Sequence, residues 1–307
     1  MLKPSALCEG DRIAVVALAS PFDKDAFQAG LEEIRSFGLE PVFDESVFQR
    51  SEYVAGSAFE RARSFLEVWG DPSISGVMAV RGGYGSAQLL PLLSVNALRS
   101  TPKVLIGCSD ITSLLAFASV QCEMTVFHGP MVLTLGKGER SYDRSSLIGQ
   151  VMSGKTYGAL PCDGVEVLKT GSYQGPIYGG TLTQIVASLG TPFSFNPPDG
   201  YILLLDDIDE RPYRVDRMMN QLRQAGLLQR ASALVCSEFQ GCVENDGSSS
   251  GRSVLERYSD DIVGPVLFGL RTGHTARPMV TVPLGVKVTV EAGSSVAVVI
   301  DEPAVMV

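Results

Sequence analysis

The chain has 307 residues, 45% of them hydrophobic and 19% charged, a globular composition with apolar material for one large domain or two ordinary ones. Lys and Arg number 25 against 34 Asp and Glu, a net charge of −9 with no basic stripe, so nucleic acid and anionic membrane are poor partners. The six cysteines form no CxxC pair and the two histidines no HExxH. These counts exclude a disulfide scaffold and disfavour a zinc hydrolase, and no metal or cofactor is expected.

Charges at Glu9, Asp11 and Arg12 fall where a secretory leader needs an apolar run, and nothing approaches the roughly 18 apolar residues of a membrane span. The expected location is cytoplasmic. Gly10-Asp11 opens an apolar stretch over residues 13–18, read as a buried parallel strand. Residues 25–37 follow with Phe27, Leu31, Ile34 and Phe37 on one helical face, stopped by Gly38. A second strand is expected over 39–43 and a helix over 58–69, with Phe65, Leu66 and Trp69 as its apolar stripe. A third strand, 74–80, ends in Arg81-Gly82-Gly83-Tyr84-Gly85-Ser86, and 88–93 begins another helix. A fourth strand, 104–106, ends in Gly107-Cys108-Ser109-Asp110 before a helix over 111–120. This alternation predicts an open parallel sheet with helices on both faces.

The rhythm breaks over 136–176, which is polar and rich in Gly and Ser apart from a helical stretch near 145–152. The expected division is an α/β domain over 1–150, a linker over 151–175 and a smaller β-rich domain over 176–307. Strands are expected there at 201–205, 233–237, 265–270, 286–291 and 296–301, and helices at 182–189, 216–225 and 253–262. Residues 244–251 read as a surface loop.

Residues 149–156 match GxxxxGK[ST], but helical residues precede them and Pro161 follows, so the strand-to-helix context of a phosphate loop is missing. The turn at Ser109 is more informative. It joins a buried strand to a helix, where a serine can act as a nucleophile, although Ser109 or Asp110 could equally cap the helix. A serine nucleophile needs a base, and His128 and His274 are the two choices. The strand over 201–205 delivers Asp206 and Asp207 at its end, where they could orient that base or cap a turn.

Taken together, several segments resemble the LD-carboxypeptidases of peptidoglycan recycling, serine peptidases that include the microcin-immunity peptidases. They are Gly10-Asp11-Arg12-Ile13-Ala14-Val15, Arg81-Gly82-Gly83-Tyr84-Gly85-Ser86, Ile106-Gly107-Cys108-Ser109-Asp110 and Phe127-His128-Gly129-Pro130-Met131. Further on come Tyr178-Gly179-Gly180-Thr181-Leu182, Asp206-Asp207 with Pro212-Tyr213-Arg214-Val215-Asp216-Arg217, Gly273-His274 and Pro283-Leu284-Gly285, all in family order.

The resemblance implies a flavodoxin- or amidotransferase-like N-terminal domain, a β-rich C-terminal domain and a site in the cleft between them. Ser109 would be the nucleophile, His274 its base and Asp206 the acid. The amides of Gly83 and Asp110 would form the oxyanion hole, and Arg81 is the candidate for binding substrate carboxylate. The substrate would be a muropeptide losing terminal D-alanine from an L-centre, and the assembly a homodimer. The sequence departs from the family in carrying Asp206 for the usual Glu, Thr181 for Asn and Cys108 for an aromatic. Two alternatives therefore stand beside the peptidase reading: cleavage of peptidyl or aminoacyl nucleotides, and muropeptide capture without cleavage.

Overall fold

The computed structural model describes residues 1–307. Five short apolar segments build the first sheet: β1 (Arg12–Val16), β2 (Glu40–Val42), β3 (Ile74–Ala79), β4 (Val104–Gly107) and β5 (Val126–His128). They lie parallel in the order β2-β1-β3-β4-β5. β4 is buried along its whole length, as a strand covered on both faces must be. The covering helices include Lys24–Ser36, which buries Phe27, Leu31 and Ile34. Another, Ala58–Gly70, starts at a capping box between Ser57 and Glu60.

The second sheet contains β6 (Gly158–Ala159), β7 (Glu166–Lys169), β8 (Gly171–Thr181), β9 (Tyr201–Asp206), β10 (Ala231–Ser237) and β11 (Val266–Leu270). After β12 (Val282–Leu284), it is completed by β13 (Lys287–Ala292) and β14 (Val296–Ile300). Its order is β6-β14-β13-β8-β9-β10-β11-β7. β8 through β11 run parallel, and the outer strands are antiparallel. β12 does not join its sequence neighbours. It crosses back to pair antiparallel with β5, placing Val282 opposite His128.

The α/β class with a β-rich second half agrees with the sequence. The linker expected over 151–175 does not: β6, β7 and the start of β8 lie within it. The segment expected to begin a helix at 88–93 is a 3-10 turn, Ser86–Leu92, containing Pro91, which lacks the N–H an α-helix needs. The helix expected over 111–120 is a succession of 3-10, α and π turns. Residues from Leu7 to Val305 share one core of 66 buried hydrophobic residues that includes strands of both sheets. No helix is long and apolar enough to cross a membrane.

Candidate active site

The C-terminal ends of parallel strands from both sheets converge on one cleft, the usual place for ligand chemistry in open α/β sheets. β4 ends at Gly107, and the chain turns through Cys108 into the 3-10 turn Ser109–Ile111. Ser109 has φ +59, in the left-handed region that side chains other than glycine rarely adopt. The strained turn presents its hydroxyl to the cleft.

His274 reaches this hydroxyl from the loop after β11, with Nε2 3.1 Å from Ser109 Oγ. On the other side of the ring, Nδ1 lies 2.8 Å from Asp206 Oδ2. Asp206 is the last residue of β9 and is fully buried. Its Oδ1 accepts the His274 backbone N–H at 2.9 Å and the Ser237 hydroxyl at 3.0 Å. Its Oδ2 also accepts the Thr181 hydroxyl at 3.2 Å. Burial pushes this carboxyl up, but the hydrogen bonds and charge of His274 outweigh it and hold Asp206 below the usual aspartate value. An ionised Asp206 can only accept, so the imidazole proton sits on Nδ1 and Nε2 is free to accept from Ser109. For His274 itself, burial lowers the pKa, while Asp206, joined by Asp207 and Asp209, reverses the effect and raises it above 6.5.

The other candidates occupy different places. Asp207 accepts from the backbone and hydroxyl of Thr183, at 2.9 and 2.8 Å, in the first turn of the helix Leu182–Ser188. Burial pushes its carboxyl up to about 6. His128 is fully buried on β5, and neither ring nitrogen has a protein partner. Burial pushes its pKa down to about 4. Of the two histidines, only His274 meets the serine.

Gly82 and Gly83 follow β3, Gly82 packing against the serine turn and Gly83 against Ser20. A Cβ at Gly82 would stand 2.9 Å from Ser109 Oγ and 3.3 Å from the amide nitrogen of Asp110, so only glycine leaves that approach open. The Gly83 amide has no backbone partner. The Asp110 side chain, a candidate helix cap from the sequence, makes no cap hydrogen bond and instead pins this loop. It accepts from the amides of Gly85 and Ser86 at 3.2 and 2.8 Å. Below it, buried Arg61 donates to the carbonyls of Leu18 and Gly85 at 2.6 and 2.8 Å. Arg81 lies on the rim and donates to the Pro21 carbonyl at 3.2 Å.

The cleft encloses about 500 Å³, and its walls include Arg81, Gly83, Met131, Lys137, Ile208 and His274. Thr181, Ser237, Gly273 and Lys137 belong to the site but not to the sequence-based candidates. The family pattern drew attention to Thr181 without giving it a partner. No group of three or more His, Cys, Asp or Glu side chains is arranged to hold a metal.

Two family models match the chain, the LD-carboxypeptidase N-terminal domain over 13–129 and the LD-carboxypeptidase C-terminal domain over 174–290. The chain belongs to the LD-carboxypeptidase family. Within that family it is 31% identical to a probable murein peptide carboxypeptidase of Bacillus subtilis, over 97% of this chain and 94% of that one. It is 29% identical to a murein tetrapeptide carboxypeptidase of Pseudomonas aeruginosa, over 87% of this chain and 89% of the other. Among solved structures, the microcin C7 self-immunity protein without ligand superposes with a TM-score of 0.89 at 25% identity, over 99% of both chains. The muramoyltetrapeptide carboxypeptidase of Oxalobacter formigenes gives 0.81 at 28%, over 95% of this chain and 99% of that one.

Proposed function

We propose that this member of the LD-carboxypeptidase family is a serine carboxypeptidase that removes terminal D-alanine from the L-centre of a diamino acid in a muropeptide. The observation that carries this reading is the line Ser109–His274–Asp206, with contacts of 3.1 and 2.8 Å at the floor of one cleft. Ser109 Oγ attacks the scissile carbonyl while His274 Nε2 takes its proton. The amides of Gly83 and Asp110 receive the oxyanion. His274 then protonates the departing D-alanine amine, and water, activated by the same imidazole, releases the acyl group from Ser109. Asp206 holds the ring in the required tautomer and stabilises its cation. Arg81 lies beside the glycine turn and is the first candidate partner for the substrate carboxylate.

A free small peptide in the cytoplasm and a homodimeric assembly complete the reading. The fold similarity to the microcin C7 self-immunity protein favours one alternative, hydrolysis of a peptidyl or aminoacyl nucleotide by the same serine. Incubation with a defined tetrapeptide, followed by mass spectrometry, should show loss of one D-alanine. Ser109→Ala should abolish it by about 10⁴-fold or more. Cleavage of an aminoacyl nucleotide but not the tetrapeptide selects the alternative, and turnover of neither leaves the capture reading. Sedimentation of the pure protein tests the dimer.

A further inference from the structure

The charges on the cleft wall run against those of the whole molecule. The protein carries nine more acidic than basic side chains, counting Lys and Arg against Asp and Glu. Yet the residues lining the cleft include Arg81, Lys137 and His274 and no Asp or Glu. Lys137 lies in the turn after the short helix Val132–Leu135. That turn is pinned by its own hydrogen bonds. The Lys137 amide donates to the Thr134 carbonyl at 3.1 Å, and the Ser141 hydroxyl donates to the carbonyls of Thr134 and Gly138 at 2.6 and 2.7 Å.

The ammonium of Lys137 has no carboxylate within ion-pair distance, in contrast to Arg144 and Arg271 nearby, which pair with Glu33 and Asp143. Arg81 directly precedes Gly82, the residue packed against Ser109, and one of its guanidinium N–H groups is held by Pro21. The remaining N–H groups are available to a ligand. A peptide cleaved one residue from its end carries its terminal carboxylate within about 4 Å of the scissile carbonyl. Arg81, beside the glycine turn, is therefore within reach, and Lys137 lines the same cleft on a long, flexible stem.

We infer that Lys137, together with Arg81, receives the terminal carboxylate of the substrate and makes the enzyme a carboxypeptidase rather than an internal peptidase. The inference rests on the peptidase reading above and deepens it. Lys137 is a specificity residue, because it touches the substrate at a distance from the reacting atoms.

The test compares two tetrapeptides that differ only at the end, one a free acid and one a C-terminal amide. Wild type should favour the acid in kcat/KM. Lys137→Met should lower kcat/KM for the acid by about tenfold to a hundredfold, the range of a charge-assisted hydrogen bond. Its acid-to-amide ratio should fall toward one, and Lys137→Arg should restore much of it. Rising salt should weaken the acid preference in wild type more than in Lys137→Met, where Arg81 alone remains. A ratio unchanged in Lys137→Met, or a loss shared equally by both peptides, overturns the assignment. Titration of the Ser109→Ala protein with the two peptides separates the claims, because it needs no turnover. If wild type cleaves neither peptide, the peptidase reading fails. The carboxylate assignment then stands only if the acid binds tighter than the amide in a Lys137-dependent way, and falls otherwise.

Discussion

The backbone of Gly273 lies directly on the carboxylate of Asp206: a Cβ at Gly273 would sit 2.2 Å from Asp206 Cγ. This contact brings the short aspartate side chain within reach of the imidazole, at the position where the family resemblance led us to expect glutamate. The loop holding His274 comes down onto the end of β9, so the shorter side chain reaches both the imidazole and the amide of the same residue. Gly273 also has φ +64, which an L side chain adopts only with strain.

Two substitutions test that fit. Gly273→Ala should displace the loop and lower kcat/KM by about 10²-fold or more, the scale of an ångström's misplacement at a reacting centre. Asp206→Glu adds a methylene, roughly 1.5 Å of length, into a space already filled by the Gly273 backbone. It should lower kcat by at least about tenfold rather than restore a better triad. Steady-state kinetics on the tetrapeptide decide both, and an Asp206→Glu enzyme as fast as wild type would show that the loop adapts.

The pH profile should reflect the raised pKa of His274. The imidazole must be neutral to accept the serine proton, so the acid limb of kcat/KM should lie above pH 6.5. A folded pKa above the unfolded one means that His274 stabilises the fold most at acid pH, and that this contribution is lost as pH rises through the folded value. Asp206→Asn removes the charge and leaves the burial, so the His274 pKa should fall. Imidazole proton shifts in Ser109→Ala and Ser109→Ala/Asp206→Asn proteins measure the change, and an unmoved pKa would assign it to other carboxylates.

Asp110 should matter through its side chain as well as its amide. Asp110→Ala leaves the Gly85 and Ser86 amides without their buried acceptor, at a cost of about 1–3 kcal/mol. Because the loop it pins carries the Gly83 amide, kcat should fall more than KM rises. Urea unfolding and kinetics on the purified variant check the two halves separately.

His128 should make the protein acid-sensitive. Its folded pKa of about 4 lies below the unfolded value near 6.5, so the stability it supports is complete above pH 6.5 and declines as pH falls toward 4. The full loss is on the order of 3 kcal/mol. His128→Phe, of comparable bulk, should flatten the dependence measured by urea unfolding at pH 7 and 4.5. A variant as acid-sensitive as wild type would place the effect elsewhere.

The first sheet was legible because its strands are short apolar runs bounded by Gly and Asp, and its helices carry clean stripes such as Phe27, Leu31 and Ile34. β8 was not, because its eleven residues hold four glycines and a proline in place of an alternating pattern. Its edges are set by the strands it joins, a tertiary effect that local propensity does not record. The serine turn, both histidines and the acid pair were visible as strand-end residues. Which histidine meets Ser109 depends on a contact spanning 165 positions. Neither the family pattern nor the spacing marked the Asp110 clamp or Lys137, since one acts inside a buried loop and the other stands in a polar turn.

The return of β12 to the edge of the first sheet has a mechanical consequence. The half of the chain that carries Asp206 and His274 also closes the sheet that carries Ser109, so the two halves are stitched rather than hinged. Peeling them apart would strip a hydrogen-bonded ladder from β5 and tear a shared interior. A fragment ending near residue 150 should therefore be a sticky, partly folded species rather than a free-standing module.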